Sequence, residues 1–255
     1  KTVATGFLGG RAGRYIRRVL DEQGVVDECI EVKGETRTVW SIESGDGAPT
    51  TFNGKGAKVS AALWKRLVSR VEACAKDAEW VALGGSLPEG VPDDAYAVLG
   101  KVAREAGAKV LIDADGDALK GAITFCPDLI KPNQPEAERL LGRKLSSVED
   151  AMTAAQELRE KLAKGADDPI VIISRGSKGA VLAHGEKAKS FHPFKVEAKS
   201  TIGSGDSMLA GFLVGLLRRD EPEEAIKLGL AAGAATAESD GAHIARKSEV
   251  ERLLG

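Results

Sequence analysis

What constrains this chain most is a series of short apolar runs. Each is closed by glycine or a polar residue, and an amphipathic stretch separates it from the next. Trp80-Val81-Ala82-Leu83 ends at Gly84-Gly85, and Lys109-Val110-Leu111-Ile112 ends at Asp113. Asp128-Leu129-Ile130 ends at Lys131-Pro132-Asn133, and Pro169-Ile170-Val171-Ile172-Ile173 ends at Ser174-Arg175-Gly176. Runs without strict alternation suit strands buried on both faces of a parallel sheet. Between them, Ser60 is placed to cap a helix carrying Leu63, Leu67 and Val71, and Asp93 to cap one carrying Tyr96, Leu99 and Val102. Ser147 is placed to cap a helix over Met152–Leu162. This rhythm predicts an α/β fold with helices on both faces of a mostly parallel sheet.

Residues 29–52 break the rhythm. Glu31-Val32, Arg37 to Glu43 and Pro49-Thr50-Thr51-Phe52 are β-like, with a turn signal at Gly45-Asp46-Gly47. They predict a small antiparallel excursion from the main sheet. The chain start, Val3 to Gly10, reads as a strand running into a glycine turn.

Composition narrows the function. Apolar residues are 43% and charged residues 29% of 255, enough for a real core and against disorder. Aromatics at 4% disfavour stacking platforms for single-stranded nucleic acid. A formal net charge of -2 supplies no global field for nucleic acid or an anionic membrane, so any bound phosphate needs a local site. Cys29, Cys74 and Cys126 are far apart, which argues against a zinc ribbon or a disulfide framework and for a reducing, cytoplasmic setting. No apolar run approaches the roughly 20 residues of a membrane span.

The strongest chemical signal is Ser200-Thr201-Ile202-Gly203-Ser204-Gly205-Asp206, running into Ser207-Met208-Leu209-Ala210-Gly211-Phe212-Leu213-Val214-Gly215. The second part is apolar nearly all round and predicts a buried helix. Its N-terminus leaves backbone N–H donors in need of partners, and Gly203 and Gly205 let the chain turn tightly there. A ring of amides at the positive end of a helix suits an anion. Asp206 beside that anion is either a helix cap or a group that takes a proton from an attacking hydroxyl.

The second signal is Lys131-Pro132-Asn133-Gln134-Pro135-Glu136, after a buried strand, where open α/β sheets bind ligands. Lys131 offers a point charge for phosphate. Asn133 and Glu136 are spaced to face one point at a helix start, either as oxygen ligands for Mg²⁺ through water or as a first-turn cap. Gly84-Gly85-Ser86-Leu87-Pro88 and Ser174-Arg175-Gly176-Ser177-Lys178-Gly179 also follow strands and, taken alone, are generic turns. No GxxxxGK[ST], GxGxxG, HExxH or GxSxG occurs, which argues against a P-loop, a dinucleotide fingerprint, a zincin and an α/β-hydrolase. Asn53-Gly54-Lys55-Gly56 imitates a phosphate loop.

Taken together and in this order, these segments resemble the PfkB carbohydrate kinase family that includes ribokinase. With Glu35-Thr36-Arg37-Thr38, they look closest to its hexose-phosphate branch, which holds 1-phosphofructokinase, tagatose-6-phosphate kinase and a minor 6-phosphofructokinase. The resemblance implies a ribokinase-like three-layer α/β/α sandwich, with residues 1–28 and 54–255 as the kinase core and residues 29–53 as part of a β lid. It implies Asp206 as catalytic base, with Gly203, Ser204 and Gly205 around the transferred phosphoryl group. It implies Lys131 and Asn133 at the triphosphate of ATP, and Glu136 with Asn133 at Mg²⁺. Ser174, Arg175, Gly176 and Gly179 match the nucleotide loop, where leucine is commoner than arginine at position 175. Gly233, in Ala231-Ala232-Gly233-Ala234-Ala235, matches the adenine pocket wall. Arg37 and Ser86 match the sugar-phosphate side. The implied reaction converts fructose 1-phosphate to fructose 1,6-bisphosphate, with tagatose 6-phosphate or fructose 6-phosphate as alternative acceptors. A relative that binds nucleotide or sugar phosphate without turnover is the further alternative. The implied partners are a sugar phosphate and a second copy through the lid, with no nucleic acid and no membrane. In the family a first strand, more of the lid, a Gly-Gly-Lys-Gly-x-Asn loop and an early sugar-binding Asp precede the segment like Val3–Gly10. An N-terminal segment of some fifty residues is therefore expected ahead of Lys1.

Overall fold

A computed structural model describes residues 1–42 and 50–255. The expected turn at Gly45-Asp46-Gly47 lies outside the described residues. Internal contacts divide the chain into two units, Lys1–Val110 with Asp117–Phe125, and Leu111–Gly116 with Cys126–Gly255.

The first unit opens with β1 (Val3–Ala4), β2 (Phe7–Leu8), α1 (Gly10–Glu22), β3 (Val26–Asp27) and β4 (Ile30–Glu31). Both short pairs, β1 with β3 and β2 with β4, are parallel. Ile30 and Glu31 therefore belong to a β-α-β crossover through α1, not to the antiparallel excursion the sequence predicts. Of the expected excursion, β5 (Val39–Ile42) and β6 (Thr50–Asn53) form the antiparallel ladder among the described residues. The crossover is closed by a long-range cap. Glu35 Oε2 accepts from the Arg11 amide at 2.9 Å, and Thr36 Oγ1 accepts from the Gly9 amide at 2.8 Å. A side chain on Gly10 (φ +65°) would fall on the Glu35 carboxyl, so that glycine is required there.

The unit continues with α2 (Ala61–Ala75), β7 (Trp80–Gly84), α3 (Ala95–Glu105), the start of β8 (Lys109–Asp113) and most of α4 (Gly116–Ile123). Ser60 caps α2 as expected, accepting from the Leu63 amide at 3.3 Å, and Leu67 and Val71 are buried. Asp93 does not cap α3. The N-cap position is Asp94, whose backbone is off the extended conformation a capping side chain needs, and it makes no side-chain cap bond.

The second unit holds the rest of β8, then β9 (Leu129–Ile130), α5 (Gln134–Leu141), α6 (Val148–Leu162), β10 (Ile170–Ser174), β11 (Ala180–His184) and β12 (Lys187–Phe191). It closes with α7 (Ser204–Leu217), α8 (Pro222–Ala237) and α9 (Lys247–Leu254). The main sheet is mixed, six strands in the order β12-β11-β10-β9-β8-β7. β8, β9 and β10 run parallel, and β10 to β12 are antiparallel. Val171, Ile172 and Ile173 are fully buried, each contributing about 1.5–3 kcal/mol by burial. Both α6 and α8 pack on β11. Ser147 caps α6 in a reciprocal pair with Asp150, one turn ahead of the expected Met152.

α7 is not buried all round, because Val214 and Leu217 are 41% and 48% exposed. Its other side seats on α8 through a seam of glycines. A Cβ on Gly211 would lie 2.8 Å from the Leu228 carbonyl oxygen, one on Gly215 2.7 Å from Ala225 Cα, and one on Gly229 2.6 Å from the Met208 carbonyl oxygen. Only bare backbone fits at those distances, so the seam brings the two helices into close contact and seats the first turn of α7. Thr236, fully buried in α8, adds a hydrogen bond to Ser207 at 2.7 Å.

Candidate active site

The site in the second unit is built at the carboxyl ends of three parallel strands, where such sheets bind ligands. β8 ends in Asp113, and β9 leads into Lys131-Pro132-Asn133. β10 ends in Ser174, which pairs as an isolated parallel bridge with Asn133. The Ser174 amide donates to the Pro132 carbonyl at 3.1 Å, locking the two strand ends side by side.

Lys131 is the buried cation of this edge, 5% exposed. Its Nζ lies 3.2 Å from Asp113 Oδ2. A Cβ on Gly205 would lie 3.5 Å from the same ammonium, so Lys131 stands directly against the first turn of α7. That turn begins at Gly203 in the left-handed conformation, φ +78°. The amide of Ser204 donates to the Thr201 carbonyl at 3.2 Å, and that of Ser207 to Gly203 at 2.9 Å. The amides of Gly205 and Asp206 find no acceptor among the described residues, whereas that of Ser204 is engaged within the protein. Ser204 Oγ is buried and has no partner among the described residues. An ammonium, two amides and a hydroxyl at one helix N-terminus are a donor set suited to a phosphoryl oxygen. Asp206, in the same turn, is exposed.

The electrostatics tie these groups together. Burial pushes the Asp113 carboxyl up. Lys131 pulls it back, and Asp206 raises it again, which places Asp206 within electrostatic reach of the pair. Asp113 is a residue that sequence reasoning missed. It looks like a strand terminator, and its signal is an acid at the end of a buried strand one crossover before Lys131.

Asn133 and Glu136 meet in a reciprocal cap of α5. Asn133 Oδ1 accepts from the Glu136 amide at 2.9 Å, Glu136 Oε2 from the Asn133 amide at 2.8 Å, and Glu136 Oε1 from Asn133 Nδ2 at 2.6 Å. The cap and the cation-ligand readings therefore fall on the same atoms. Burial raises the Glu136 carboxyl, the Asn133 amide lowers it, and Asp115 and Asp113 raise it. These are hard oxygen donors with surplus negative charge nearby. The set fits a divalent cation held through water, since each carboxylate oxygen keeps a lone pair. No group of three or more His, Cys, Asp or Glu that could hold a metal directly occurs among the described residues.

The glycine-rich turn after β10 is a hairpin with a short 3₁₀ segment, Gly176–Lys178. A Cβ on Gly176 (φ +56°) would meet nothing, whereas one on Gly179 (φ +84°) would strike the Phe191 carbonyl. With Asn133, Gln134, Ser174, Arg175 and Lys178, the turn lines a cleft of about 330 Å³. Gly233 lies in the seam, where a Cβ would come 3.0 Å from the Ser204 carbonyl oxygen and 3.2 Å from Met208 Cβ.

Arg37 and Ser86 belong to the first unit, and both are exposed. Arg37 follows the Glu35 and Thr36 caps of α1, and Gly56 packs on its Cβ. Lys55 therefore lies in a strip along Glu35–Thr38, with the Gly54 amide donating to Thr38 and the Ala57 amide to Glu35. Ser86 follows Gly85, whose carbonyl accepts from the Tyr96 hydroxyl at 2.6 Å.

Known proteins with this arrangement are kinases. A 1-phosphofructokinase of Bacillus subtilis (strain 168) is 34% identical over 251 residues, 98% of this chain and 80% of the relative. One from Escherichia coli (strain K12) is 30% identical over 249 residues, 98% of this chain and 78% of the relative. The crystal structure of phosphofructokinase-2 from Escherichia coli in complex with substrates and products superposes with a TM-score of 0.88 at 28% identity, covering 98% of this chain and 80% of that one. Ribokinase from Thermotoga maritima, at 22% identity and a TM-score of 0.77, shares the fold. The model of the pfkB family carbohydrate kinases matches residues 1–248. With the buried lysine and the glycine-flanked aspartate at the start of α7 in place, the chain belongs to the pfkB family of carbohydrate kinases.

Proposed function

We propose that this chain transfers the γ-phosphoryl group of ATP to a sugar phosphate, with fructose 1-phosphate as acceptor and fructose 1,6-bisphosphate and ADP as products. The observation that carries this reading is the first turn of α7. There Asp206 is exposed, Lys131 stands against the turn, and the Gly205 and Asp206 amides have no acceptor among the described residues. The acceptor follows the 1-phosphofructokinases that match nearly the whole chain.

In the step, Asp206 takes the proton of the sugar hydroxyl as its oxygen bonds to the γ-phosphorus. The bond from the γ-phosphorus to the β,γ-bridging oxygen breaks, and the electron pair leaves on ADP. Lys131 and the two amides hold the charge that accumulates on the transferring group, fixed in place by the Asp113 pair and the α7–α8 seam. Asn133 and Glu136 would hold Mg²⁺ through water, which would neutralise the triphosphate. The β5–β6 ladder is assigned as part of a lid. Val39, Trp40, Ile42 and Phe52 of its ladder are each close to half exposed or more and would meet a second copy. None of the described cysteines forms a disulfide, in keeping with a cytoplasmic location.

The test is ADP release, coupled to an indicator reaction, over fructose 1-phosphate, fructose 6-phosphate, tagatose 6-phosphate and ribose. Fructose 1-phosphate should give the highest kcat/KM. Asp206→Asn should lower kcat by about 10³-fold or more while nucleotide affinity changes little. Near-normal turnover in that variant overturns the assignment of the base, and turnover with ribose alone overturns the acceptor.

A further inference from the structure

The cleft beside Asn133 carries positive charge that nothing nearby cancels. Arg175 enters it from the end of β10, and Lys178 from the hairpin turn. Its carboxylate, Glu138, is already engaged. Glu138 lies 2.7 Å from Lys144 Nζ and accepts from the Leu145 amide at 3.0 Å, and these contacts pull its carboxyl down to about 2. Neither Arg175 nor Lys178 has an ion-pair partner among the described residues. Arg175 is nevertheless aimed. Its Nε donates to Gln134 Oε1 at 3.1 Å, and Gln134 is held in turn by its Nε2 bond to the Leu145 carbonyl at 2.7 Å. The two terminal nitrogens of the guanidinium find no partner among the described residues.

A guanidinium fixed through Nε, with its planar fork free, has lost the rotamer entropy a surface arginine spends on binding. The fork matches two oxygens of a phosphate group. We infer that Arg175, positioned by Gln134, binds a phosphate group of the donor nucleotide in this cleft, so that donor affinity depends on phosphate charge rather than on the base alone. This inference rests on the kinase reading and assigns the arginine's part within it. The same two nitrogens also explain why the position carries more than a hairpin tether, since one Nε donor would suffice to hold Gln134.

The experiment measures equilibrium binding of ATP, ADP and adenosine by calorimetry, independently of turnover, in the wild type and in Arg175→Leu, Arg175→Lys and Gln134→Leu. Arg175→Leu should weaken ATP and ADP by about tenfold or more and leave adenosine within about twofold. Arg175→Lys should recover part of the loss, because it keeps the charge without the fork. Gln134→Leu should lose less than Arg175→Leu, because only the aim is gone. Equal weakening of adenosine and ATP would make Arg175 a structural tether and overturn the inference. So would unchanged ATP and ADP affinity in Arg175→Leu. A wild type that binds ATP yet turns over no sugar phosphate defeats the kinase reading instead, and the phosphate dependence of binding still decides the role of Arg175.

Discussion

Gly233→Ala adds one methyl group where the fold and the family resemblance assign different jobs to the same glycine. The new carbon would lie 3.0 Å from the Ser204 carbonyl oxygen and 3.2 Å from Met208 Cβ, inside the roughly 3.4 Å at which ordinary contact begins. Neither neighbour is the loose end of a side chain, so the first turn of α7 must retreat by about 0.4 Å. Overpacking of this kind costs about 1–3 kcal/mol. Alanine's better helix propensity offsets about 1 kcal/mol, leaving a net loss of about 0–2 kcal/mol. The kinetic effect is of similar size. A reacting group misplaced by about 1 Å loses about 10²-fold in rate, so 0.4 Å at Ser204 and Asp206 predicts a fall in kcat of roughly five- to tenfold. KM for ATP should stay within about twofold. Steady-state ADP release measures both parameters. Stability of this unit must be followed by far-UV circular dichroism, because Trp40, Trp64 and Trp80 all lie in the other unit. A tenfold rise in KM for ATP with kcat retained would put Gly233 on the nucleotide and refute the packing argument. Gly121→Ala in α4 is the control. The nearest atom to its new carbon is the Asp93 carbonyl oxygen at 3.8 Å, so this variant should gain up to about 1 kcal/mol.

Glu136→Gln keeps the shape of the α5 cap and removes its charge, so the Mg²⁺ concentration for half-maximal turnover should rise about tenfold while the helix persists. An unchanged metal requirement would leave Glu136 as a cap only. The same variant carries a pH signature. Burial raises the Glu136 carboxyl in the folded state, so its stabilising contribution is full below the unfolded value and is lost as pH rises through the folded one. The wild type should therefore gain in urea midpoint over Glu136→Gln as pH falls from neutrality toward the ordinary glutamate value of about 4.3, and the opposite slope contradicts the burial argument. Trp40, 67% exposed on the β5–β6 ladder, should anchor self-association; sedimentation of Trp40→Glu should shift toward the monomer, and an unaltered profile removes the ladder from the contact.

The strands of the main sheet were legible because their burial is continuous. Ile170 to Ile173 have no polar position to confuse the reading, and β8 and β9 end at the residues that close their apolar runs. The start of α7 was legible because glycines at two alternate positions ahead of an apolar helix have few explanations. What stayed hidden depends on distance along the chain. Glu35 caps α1 from 24 residues beyond Arg11, and no local pattern links them. β4 reads as part of an antiparallel run because register is a pairing property, and its partner β2 lies on the far side of a helix. Asp113 needed the crossover to bring it to Lys131. The reciprocal cap of α5 was half legible, since Asn-x-x-Glu announces a helix start whether or not a cation sits beside it.

The glycine seam between α7 and α8 also bears on how such a chain can change over generations. Gly211, Gly215, Gly229 and Gly233 are places where even one carbon collides with backbone or with a Cβ. Drift there is blocked in both helices at once, because relieving a clash on one side requires a compensating deletion that glycine has no atoms left to make. The seam that seats the helix carrying Asp206 thus accepts a side chain at any of these four positions only if backbone or a packed Cβ gives way. Change is left to positions outside the seam, such as the exposed Val214 and Leu217 on the other side of the same helix, which can be replaced without shifting the turn that carries Asp206.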